Sequence, residues 1–310
     1  MNNIFFFQPL FKEKIWGGSR LNTTFGMSIP SARTGECWLV SAHTEGETAI
    51  RNGAYEGWTL RELWEKKREF FGNMDGQEFP LLIKIIDAAA DLSVQVHPDR
   101  DSLLVNNKDI RSKTECWYIL DCEENTEIIY GHNANSREEL RENIRAGKWE
   151  QLLRRIPVKK NDFVYVPGGT VHALKKGMLV LEIQQSSDTT FRLYDYDRLE
   201  NGKARKLHIE EAIEAINIPH IPWNPAYEVI NENGVDKTVL AHTPFFTVSM
   251  YKIDSQAILH QDKPFSIIGV LDGEGSIDNI PIHRGDHFML PYGYGSYELK
   301  GSMSIIASTI

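Results

Sequence analysis

Four side chains of the types that bind divalent metals are spread over three segments of the sequence. In Leu92-Ser-Val-Gln-Val-His-Pro-Asp99 polar and apolar residues alternate, which is typical of a strand with one polar face, here carrying Gln95 and His97. Glu115 stands before an apolar run, and His172 follows a glycine-containing turn. Two imidazoles, a carboxylate and an amide suit a catalytic zinc site with one open position, although manganese, iron and cobalt accept the same donors.

This interpretation depends on the three segments meeting in the fold. An edge strand with one solvent-exposed face would show the same alternation around Gln95 and His97. In addition, no short local motif contains all four residues. The prediction therefore requires Glu115 and His172 to lie beside that strand.

Charged residues near these segments predict proton transfer and anion binding. Glu182 lies in an alternating strand shortly after His172, where a carboxylate beside a cation can act as a base; a solvent-facing glutamate gives the same pattern. Lys84 interrupts an apolar strand, where burial is costly unless the lysine is paired. With the hydroxyl of Ser93 and the planar guanidinium of Arg192, Lys84 could form a phosphate pocket.

Composition narrows the class of protein. The chain has 310 residues and a net charge of −9, which argues against a nucleic-acid or anionic-membrane partner. No apolar run approaches the roughly 20 residues that span a bilayer, and the N-terminus lacks a secretory pattern. Three cysteines without C-x-x-C spacing make a disulfide framework or a thiolate zinc site poor interpretations. We expect a cytoplasmic protein with reduced thiols.

The elements that must position these residues are mostly short strands, which favours an antiparallel sandwich or barrel. Helices are expected near residues 59–71, 136–154 and 207–216. The first two start at capping-box sequences, Thr59-Leu-Arg-Glu62 and Ser136-Arg-Glu-Glu139.

An internal similarity suggests two β-units. Residues 157–167 and 281–291 share a first proline, an aspartate in sixth place, an apolar strand and a closing proline. The simplest account is a repeat, and a chance match of two hairpins is the alternative. His172 follows the first copy, whereas Ser296 stands at the same distance after the second. We therefore expect a catalytic part, 1–225, and a C-terminal β-domain, 226–310, that lacks metal ligands.

Taken together, several motifs in order resemble the type I phosphomannose isomerases of the cupin superfamily, most closely the short bacterial form. The likeness runs over roughly residues 5 to 200, and the remainder fits the second cupin-like domain of that family. The sequence carries the resemblance in Lys14-Ile-Trp-Gly-Gly18, Gly35-Glu-Cys-Trp38, Lys84, Ser93 through Asp99, Lys113-Thr-Glu115, Pro167 through His172, and Leu181 through Arg192.

The resemblance implies a mainly β fold: two cupin-like jelly-roll β-barrel or sandwich units, with a few helices inserted in the N-terminal part. It implies a metal-dependent aldose-ketose isomerase that interconverts mannose 6-phosphate and fructose 6-phosphate through an enediolate. The expected partner is a small-molecule sugar phosphate, and the chain is expected to be a monomer or weak homodimer. Thr114 departs from the family, since many members carry proline there, which affects loop stiffness more than chemistry.

The residue roles that the resemblance implies fall into three groups. One Zn²⁺ per chain would be held by Gln95, His97, Glu115 and His172. The catalytic residues would be Arg192, Glu182 and Lys113, with the proton-transferring base left open between the last two. The substrate-binding residues would be Ser93, Lys84 and Trp16.

Two other functions stay open on the residues alone. A metal-dependent cupin oxygenase is one, because barrels with histidine and carboxylate ligands also support oxygen chemistry, although Gln95 would be surplus to an iron triad. A non-catalytic sugar-binding cupin is the other, and it would leave Glu115, Glu182 and Arg192 without a purpose.

Overall fold

The structure is a computed structural model that describes residues 3–99, 111–225, 227–232 and 235–310. The chain divides into two compact units. The first comprises Met1–Leu10, Trp38–Ile83 and Pro225–Ile310, and the second comprises Phe11–Cys37 and Lys84–Asn224. The predicted domain division at residue 225 stays a proposal.

The first unit is built on a nine-stranded sheet in which neighbouring strands pair antiparallel. Its strands are β1 (Phe5–Gln8), β6 (Ala49–Ile50), β18 (Glu228–Glu232), β19 (Val235–His242), β20 (Thr247–Gln261), β21 (Phe265–Ile277), β22 (Ile280–His283), β23 (His287–Pro291) and β24 (Gly295–Thr309). The smaller elements of this unit are β4 (Ala42–His43), β5 (Gly46–Glu47), helix α2 (Leu60–Lys66) and 3₁₀ turns at Gly53–Tyr55 and Arg68–Phe71.

The second unit contains a five-stranded and a six-stranded sheet. The five-stranded sheet, in the order β11-β10-β13-β8-β15, consists of β8 (Val94–Val96), β10 (Glu127–His132), β11 (Leu153–Pro157), β13 (His172–Ala173) and β15 (Phe191–Tyr194). The six-stranded sheet, in the order β12-β9-β14-β7-β3-β2, consists of β2 (Leu10–Gly18), β3 (Thr34–Val40), β7 (Leu81–Ala88), β9 (Glu115–Asp121), β12 (Phe163–Val166) and β14 (Met178–Gln185). The borders between the units fall inside β2, β3 and β7.

A two-stranded ribbon and four helices complete the second unit. They are β16 (Leu199–Glu200), β17 (Lys203–Ala204), α1 (Arg20–Phe25), α3 (Arg137–Arg145), α4 (Trp149–Leu152) and α5 (Ile209–Ala215). None of the helices among the described residues is long and apolar enough to cross a bilayer.

The two sheets of the second unit pack face to face. Trp117 and Val164 of the six-stranded sheet share one buried cluster with Ile128 and Tyr130 of the five-stranded sheet. A second cluster joins the other face of the five-stranded sheet to α3 and α5. The apolar side chains between the layers exclude water, so polar side chains that point into this interior need partners. The predicted mainly β, cupin-type fold is confirmed.

The two copies of the predicted repeat contain the same type of turn, and each turn leads into a strand. In the first copy the Asp162 carboxylate accepts a hydrogen bond from the Lys159 N–H at 2.9 Å. In the second, the Asp286 carboxylate accepts one from the His283 N–H at 2.8 Å. The same sequence position therefore fixes the entry into β12 and into β23.

The helix starts are predicted better than the helix ends. Thr59 forms a capping box with Glu62, and the Ser136 side chain accepts from the N–H of residue 139. The expected helix over 136–154 is wrong in length, because the chain turns through the left-handed region at Gly147, with φ of 63°, between α3 and α4. The expected helix over 59–71 likewise ends early, at the close of α2.

Candidate metal centre and active-site cavity

Three neighbouring strands of the five-stranded sheet place His172, Gln95 and Arg192 side by side. His172 on β13 lies opposite Gln95 on β8, and Arg192 on β15 lies opposite the same residue from the other side. Ser93 links the row: its hydroxyl donates to Oε1 of Gln95 at 3.2 Å and accepts from Nε of Arg192 at 3.2 Å. Strand pairing alone thus assembles one row of polar side chains.

The facing sheet contributes a row of charged groups. Glu115 and Trp117 are two residues apart on β9, so their side chains share a face. On β14, Glu182 lies opposite Trp117, whose indole Nε1 donates to Oε2 of Glu182 at 2.9 Å. Lys84 on β7 completes the row, because its Nζ lies 2.8 Å from Oε1 of Glu182.

His97, Glu115 and His172 form a possible metal site. Their ligand atoms all lie within 4.8 Å of one another, and all three side chains are buried. The Nδ1–H of His97 donates to the carbonyl of Thr189 at 2.7 Å, and that of His172 donates to the carbonyl of Thr170 at 2.8 Å. Both rings therefore present an unprotonated Nε2 toward Glu115, the arrangement that backbone partners enforce in metal sites.

The electrostatics of this cluster favour the protonation states that a metal requires. Burial, with the nearby charge of Lys113, lowers the pKa of His97 to about 3, and burial lowers the pKa of His172. Both imidazoles are therefore neutral, and their contacts with Glu115 are not ion pairs. Burial opposes ionisation of Glu115, but Lys113 and the neighbouring rings of His97 and His172 together outweigh it and hold the pKa of that carboxyl well below its ordinary value.

The polar atoms of the cluster fit a cation. Neither carboxylate oxygen of Glu115 accepts a well-aligned hydrogen bond from another described residue, although Nζ of Lys113 lies 2.8 Å from Oε2. A buried carboxylate that accepts no well-aligned hydrogen bond costs free energy of folding unless a cation compensates its charge. The side-chain amide of Gln95 lies 3.4 Å from Nε2 of His172, within reach as a further donor.

Lys113 and Lys84 place positive charge on two sides of Glu182. Nζ of Lys113 lies 3.9 Å from Oε1 of Glu182 and 3.2 Å from Nε2 of His97. Burial alone would lower the pKa of Lys84, but the carboxylates of Glu182 and Glu36 outweigh it and raise that pKa above its ordinary value. The ammonium of Lys84 therefore stays charged and can hold or stabilise negative charge.

A cavity of about 130 Å³ adjoins the cluster. Of the ten predicted site residues, eight line it: Trp16, Lys84, Ser93, Gln95, Lys113, His172, Glu182 and Arg192. The other two, His97 and Glu115, lie directly beside Lys113 and His172. The structure thus brings all ten together, and the role of each remains a prediction.

Four polar residues of the cavity were not assigned a role from the sequence: Lys14, Glu36, Thr190 and Arg205. Lys14 and Trp16 alternate on β2, a spacing that could have suggested a shared face. Nζ of Lys14 lies 3.2 Å from Oε1 of Glu36. Arg205 follows β17, at a distance from Arg192 that no strand or helix period connects, so the sequence contains no signal for it.

The fold and the site together define a cupin protein with two buried histidines and a carboxylate beside a charged cavity. A family profile described as phosphomannose isomerase type I, catalytic domain, matches residues 4–139, and one described as mannose-6-phosphate isomerase, cupin domain, matches residues 236–310. Mannose-6-phosphate isomerase ManA of Bacillus subtilis is 49% identical over 308 residues, covering 98% of both chains. The chain belongs to the type I phosphomannose isomerase family, as its motifs predicted.

Other relatives agree over the whole length. Mannose-6-phosphate isomerase of Streptococcus mutans is 46% identical over 308 residues, covering 98% of this chain and 97% of that protein. The crystal structure of mannose 6-phosphate isomerase from Bacillus subtilis superposes with a TM-score of 0.96 at 46% identity and covers 100% of both chains. Type I phosphomannose isomerases are metal-dependent, which agrees with the possible metal site at His97, Glu115 and His172.

Proposed function

We propose that the protein interconverts mannose 6-phosphate and fructose 6-phosphate, as its family membership and the names of its relatives suggest. The observation that carries the proposal is the buried cluster of His97, Glu115 and His172, which lies against a cavity lined by three lysines and two carboxylates. The reaction moves a carbonyl between carbons 1 and 2. It needs a group that transfers a proton and groups that stabilise the enediolate intermediate of the isomerisation.

The metal in this proposal is a single Zn²⁺ held by His97, Glu115, His172 and Gln95. Two imidazoles, one carboxylate and one amide without cysteine form the donor set typical of catalytic zinc. Bound there, a divalent ion supplies a Lewis acid for the oxygens of the substrate. Thr189 and Thr170 support the ligands by fixing the ring orientations of the two histidines.

Proton transfer is assigned to Glu182 or Lys113. Either group would take the proton from carbon 2 of mannose 6-phosphate and return it to carbon 1, so that no proton is gained or lost overall. Glu182 is supported by its position, since it lines the cavity while Trp117 and Lys84 fix both of its oxygens. Lys113 lies closer to the ligand cluster, at 2.8 Å from Glu115. Arg192 would stabilise the negative charge that develops on the enediolate.

A coupled assay with mannose 6-phosphate tests the proposal. The protein is measured as purified, after chelation, and after Zn²⁺ is restored. Loss and recovery of fructose 6-phosphate formation is the expected result. Oxygen consumption on reconstitution with iron would instead support a cupin oxygenase, and metal-independent sugar-phosphate binding without turnover would support a sugar-binding protein. Either outcome would overturn the proposal.

The wider setting proposed for this activity is the cytoplasm, with a small sugar phosphate as the only partner that the reaction requires. A net charge of −9 also makes a polyanionic partner unfavourable. Positive groups are instead concentrated around the cavity, where Lys14, Lys84, Lys113 and two arginines occur together.

A further inference from the structure

The pairing between β9 and β14 changes beside Lys113. The last register pair of the two strands joins Glu115 to Gln184. One step further, the N–H of Gln185 donates to the carbonyl of Thr114 at 3.1 Å. In a regular antiparallel pair the N–H of Thr114 would return a bond to the carbonyl of Gln185. It donates instead to Oε1 of the Gln185 side chain at 2.8 Å. A side chain therefore replaces one backbone hydrogen bond at the end of this ladder.

The same amide makes a second contact on the other side of Lys113. Nε2 of Gln185 donates to Oγ of Ser112 at 3.2 Å. A backbone N–H can only donate, so the amide oxygen must face Thr114 and the amide nitrogen must face Ser112. One side chain thus holds the residue before Lys113 and the residue after it. We call the contacts of the Gln185 side chain with Ser112 and Thr114 the amide clamp.

The clamped segment carries two groups of the proposed active site. Nζ of Lys113 lies 2.8 Å from Oε2 of Glu115 and 3.9 Å from Oε1 of Glu182. A displacement of about 1 Å in such a group can lower a reaction rate by about 10²-fold. Within the described residues, Gln185 does not itself line the cavity. Any effect of Gln185 on the chemistry must therefore pass through the backbone that it holds.

Two other hydrogen bonds tie the same segment to the segments of the ligand histidines. The N–H of Lys113 donates to the carbonyl of Pro98 at 3.0 Å, and the N–H of Gly168 donates to Oγ1 of Thr114 at 3.3 Å. Neither bond involves the N–H of Thr114, a residue that is buried. A buried N–H without an acceptor is unfavourable. Loss of the Gln185 amide should therefore displace the segment rather than leave it in place.

We propose that Gln185 is a positioning residue, whose amide clamp sets the places of Lys113 and Glu115 relative to Glu182 and the ligand histidines. The roles of Lys113 in proton transfer and of Glu115 in metal binding rest on the proposed function. The clamp itself acts on the backbone beside a metal ligand, so zinc affinity measures its effect even without turnover. Hydrogen-bond partners outside the ligand set typically change metal affinity or activity by about 10- to 100-fold.

The test compares Gln185→Leu with Asn143→Leu as the matched control. Asn143 is a half-buried amide of the same unit whose Nδ2 donates to the carbonyl of Glu139 at 2.9 Å. Within the described part of the chain, it does not line the cavity. We expect Q185L to raise the Kd for Zn²⁺ by about tenfold or more. At saturating zinc it should lower kcat by about tenfold or more, with KM for mannose 6-phosphate little changed. N143L should stay near wild type in all three.

Further variants separate the clamp from a general effect on folding. Gln185→Asn keeps the amide but is one methylene shorter, so it cannot reach both partners and should resemble Q185L. Ser112→Ala removes one of the two contacts and should cause a smaller loss. The double variant Q185L/S112A should be no worse than Q185L, because the contact of Ser112 is already lost. Cobalt accepts the same donors as zinc, and the visible spectrum of the cobalt-loaded protein should change in Q185L but not in N143L.

Thermal melts establish that each variant is folded, and Q185N and S112A carry the same comparison if Q185L does not fold. The proposal is overturned if the Gln185 variants bind zinc and turn over as N143L does, or if the losses of Q185L and S112A multiply in the double variant. Absence of isomerisation in wild type, with zinc binding that Q185L weakens and N143L does not, would refute the proposed function and leave the clamp standing. Equal isomerisation by wild type and Q185L would refute the clamp and leave the proposed function standing.

Discussion

Nζ of Lys84 lies 2.8 Å from Oε1 of Glu182, and both side chains are buried beside the cavity. Lys84 interrupts the apolar β7 strand, and the structure shows how that burial is possible, because the facing carboxylate neutralises the ammonium. Removal of one partner alone from a buried ion pair of this kind strongly destabilises the folded protein, because the other charge is left buried and unpaired. Lys84 and Glu182 therefore form one unit, whichever of them touches the substrate.

The first prediction is that the two residues act together in catalysis. Glu182→Gln should lower kcat by about 10²- to 10⁴-fold if Glu182 transfers the proton, and Lys84→Met should lower it as well, because Lys84 holds that carboxylate in place. The double variant should be little worse than either single variant. Steady-state kinetics, with zinc content measured in parallel, check this. Losses that simply multiply in the double variant would contradict it.

The second prediction concerns the ligand cluster. Wild-type protein should contain about one zinc ion per chain, and chelation should lower its melting temperature, because a ligand that binds only the folded state stabilises it. Glu115→Gln should lose most of its zinc and should respond little to the chelator. Elemental analysis and thermal melts provide the measurements.

Glu36→Gln is the matched control for Glu115→Gln. Glu36 is a buried carboxylate that lines the same cavity, and its Oε1 lies 3.2 Å from Nζ of Lys14. E36Q should retain zinc. If E115Q binds zinc as well as E36Q does, Glu115 is not a ligand.

Much of the site was predictable because strand alternation is a local property. The spacing of Ser93, Gln95 and His97 alone places them on one face of a strand. A lysine in an otherwise apolar strand indicates that its charge is paired with a buried acidic group. The pairing of β8 with β13 and β15 then brings distant segments together. Arg205 could not be predicted in this way, since its place depends on the ribbon β16–β17 and on the carboxylate of Asp195.

The long strands of the first unit show a second limit. The apolar pattern predicts a strand over residues 248–253, whereas β20 continues to Gln261. Asp254, Ser255 and Gln256 are exposed and break the alternation, yet each stays in register with β24. Backbone hydrogen bonds extend β20 beyond the residues whose side chains are buried. The hydrophobic pattern of the sequence predicts only the buried part of a strand, so it misses this extension.

The third prediction concerns the cysteines, all three of which are free thiols. Burial raises the pKa of Cys37 to about 12 and raises that of Cys116 well above its ordinary value. Cys122 is partly exposed, and burial raises its pKa as well. Since the thiolate is the reactive form, native protein at pH 8 should show one accessible thiol, and denatured protein should show three.

A thiol titration with a chromogenic disulfide reagent measures this. Cys122→Ser should remove the native-state reaction and leave two thiols after denaturation. Rapid reaction of a second thiol in folded C122S would show that Cys37 or Cys116 is more accessible than the structure indicates.

The fourth prediction is a loss of stability in acid through His287. Its Nδ1–H donates to the carbonyl of Gly285 at 3.0 Å, and burial lowers the pKa of the ring to about 4. A Cβ on Gly269 would lie 2.4 Å from Nε2, so glycine at that position makes room for the ring. The unfolded state, with a histidine pKa of about 6.5, takes up a proton first as the pH falls. His287 therefore contributes stability above pH 6.5 that is lost progressively down to about pH 4, by about 3 kcal/mol in all.

Urea unfolding of wild type and His287→Leu between pH 7.5 and 4 isolates this contribution from that of the other buried histidines. The absolute stability of H287L is expected to differ, because the packing changes; the readout is the pH dependence of the difference between the two proteins. That difference should shift in favour of the variant as the pH falls. His283→Leu, at an exposed histidine of the same hairpin, should follow wild type at every pH. A constant difference between H287L and wild type would contradict the prediction, because it would mean that His287 takes up its proton at the same pH in the folded and unfolded states.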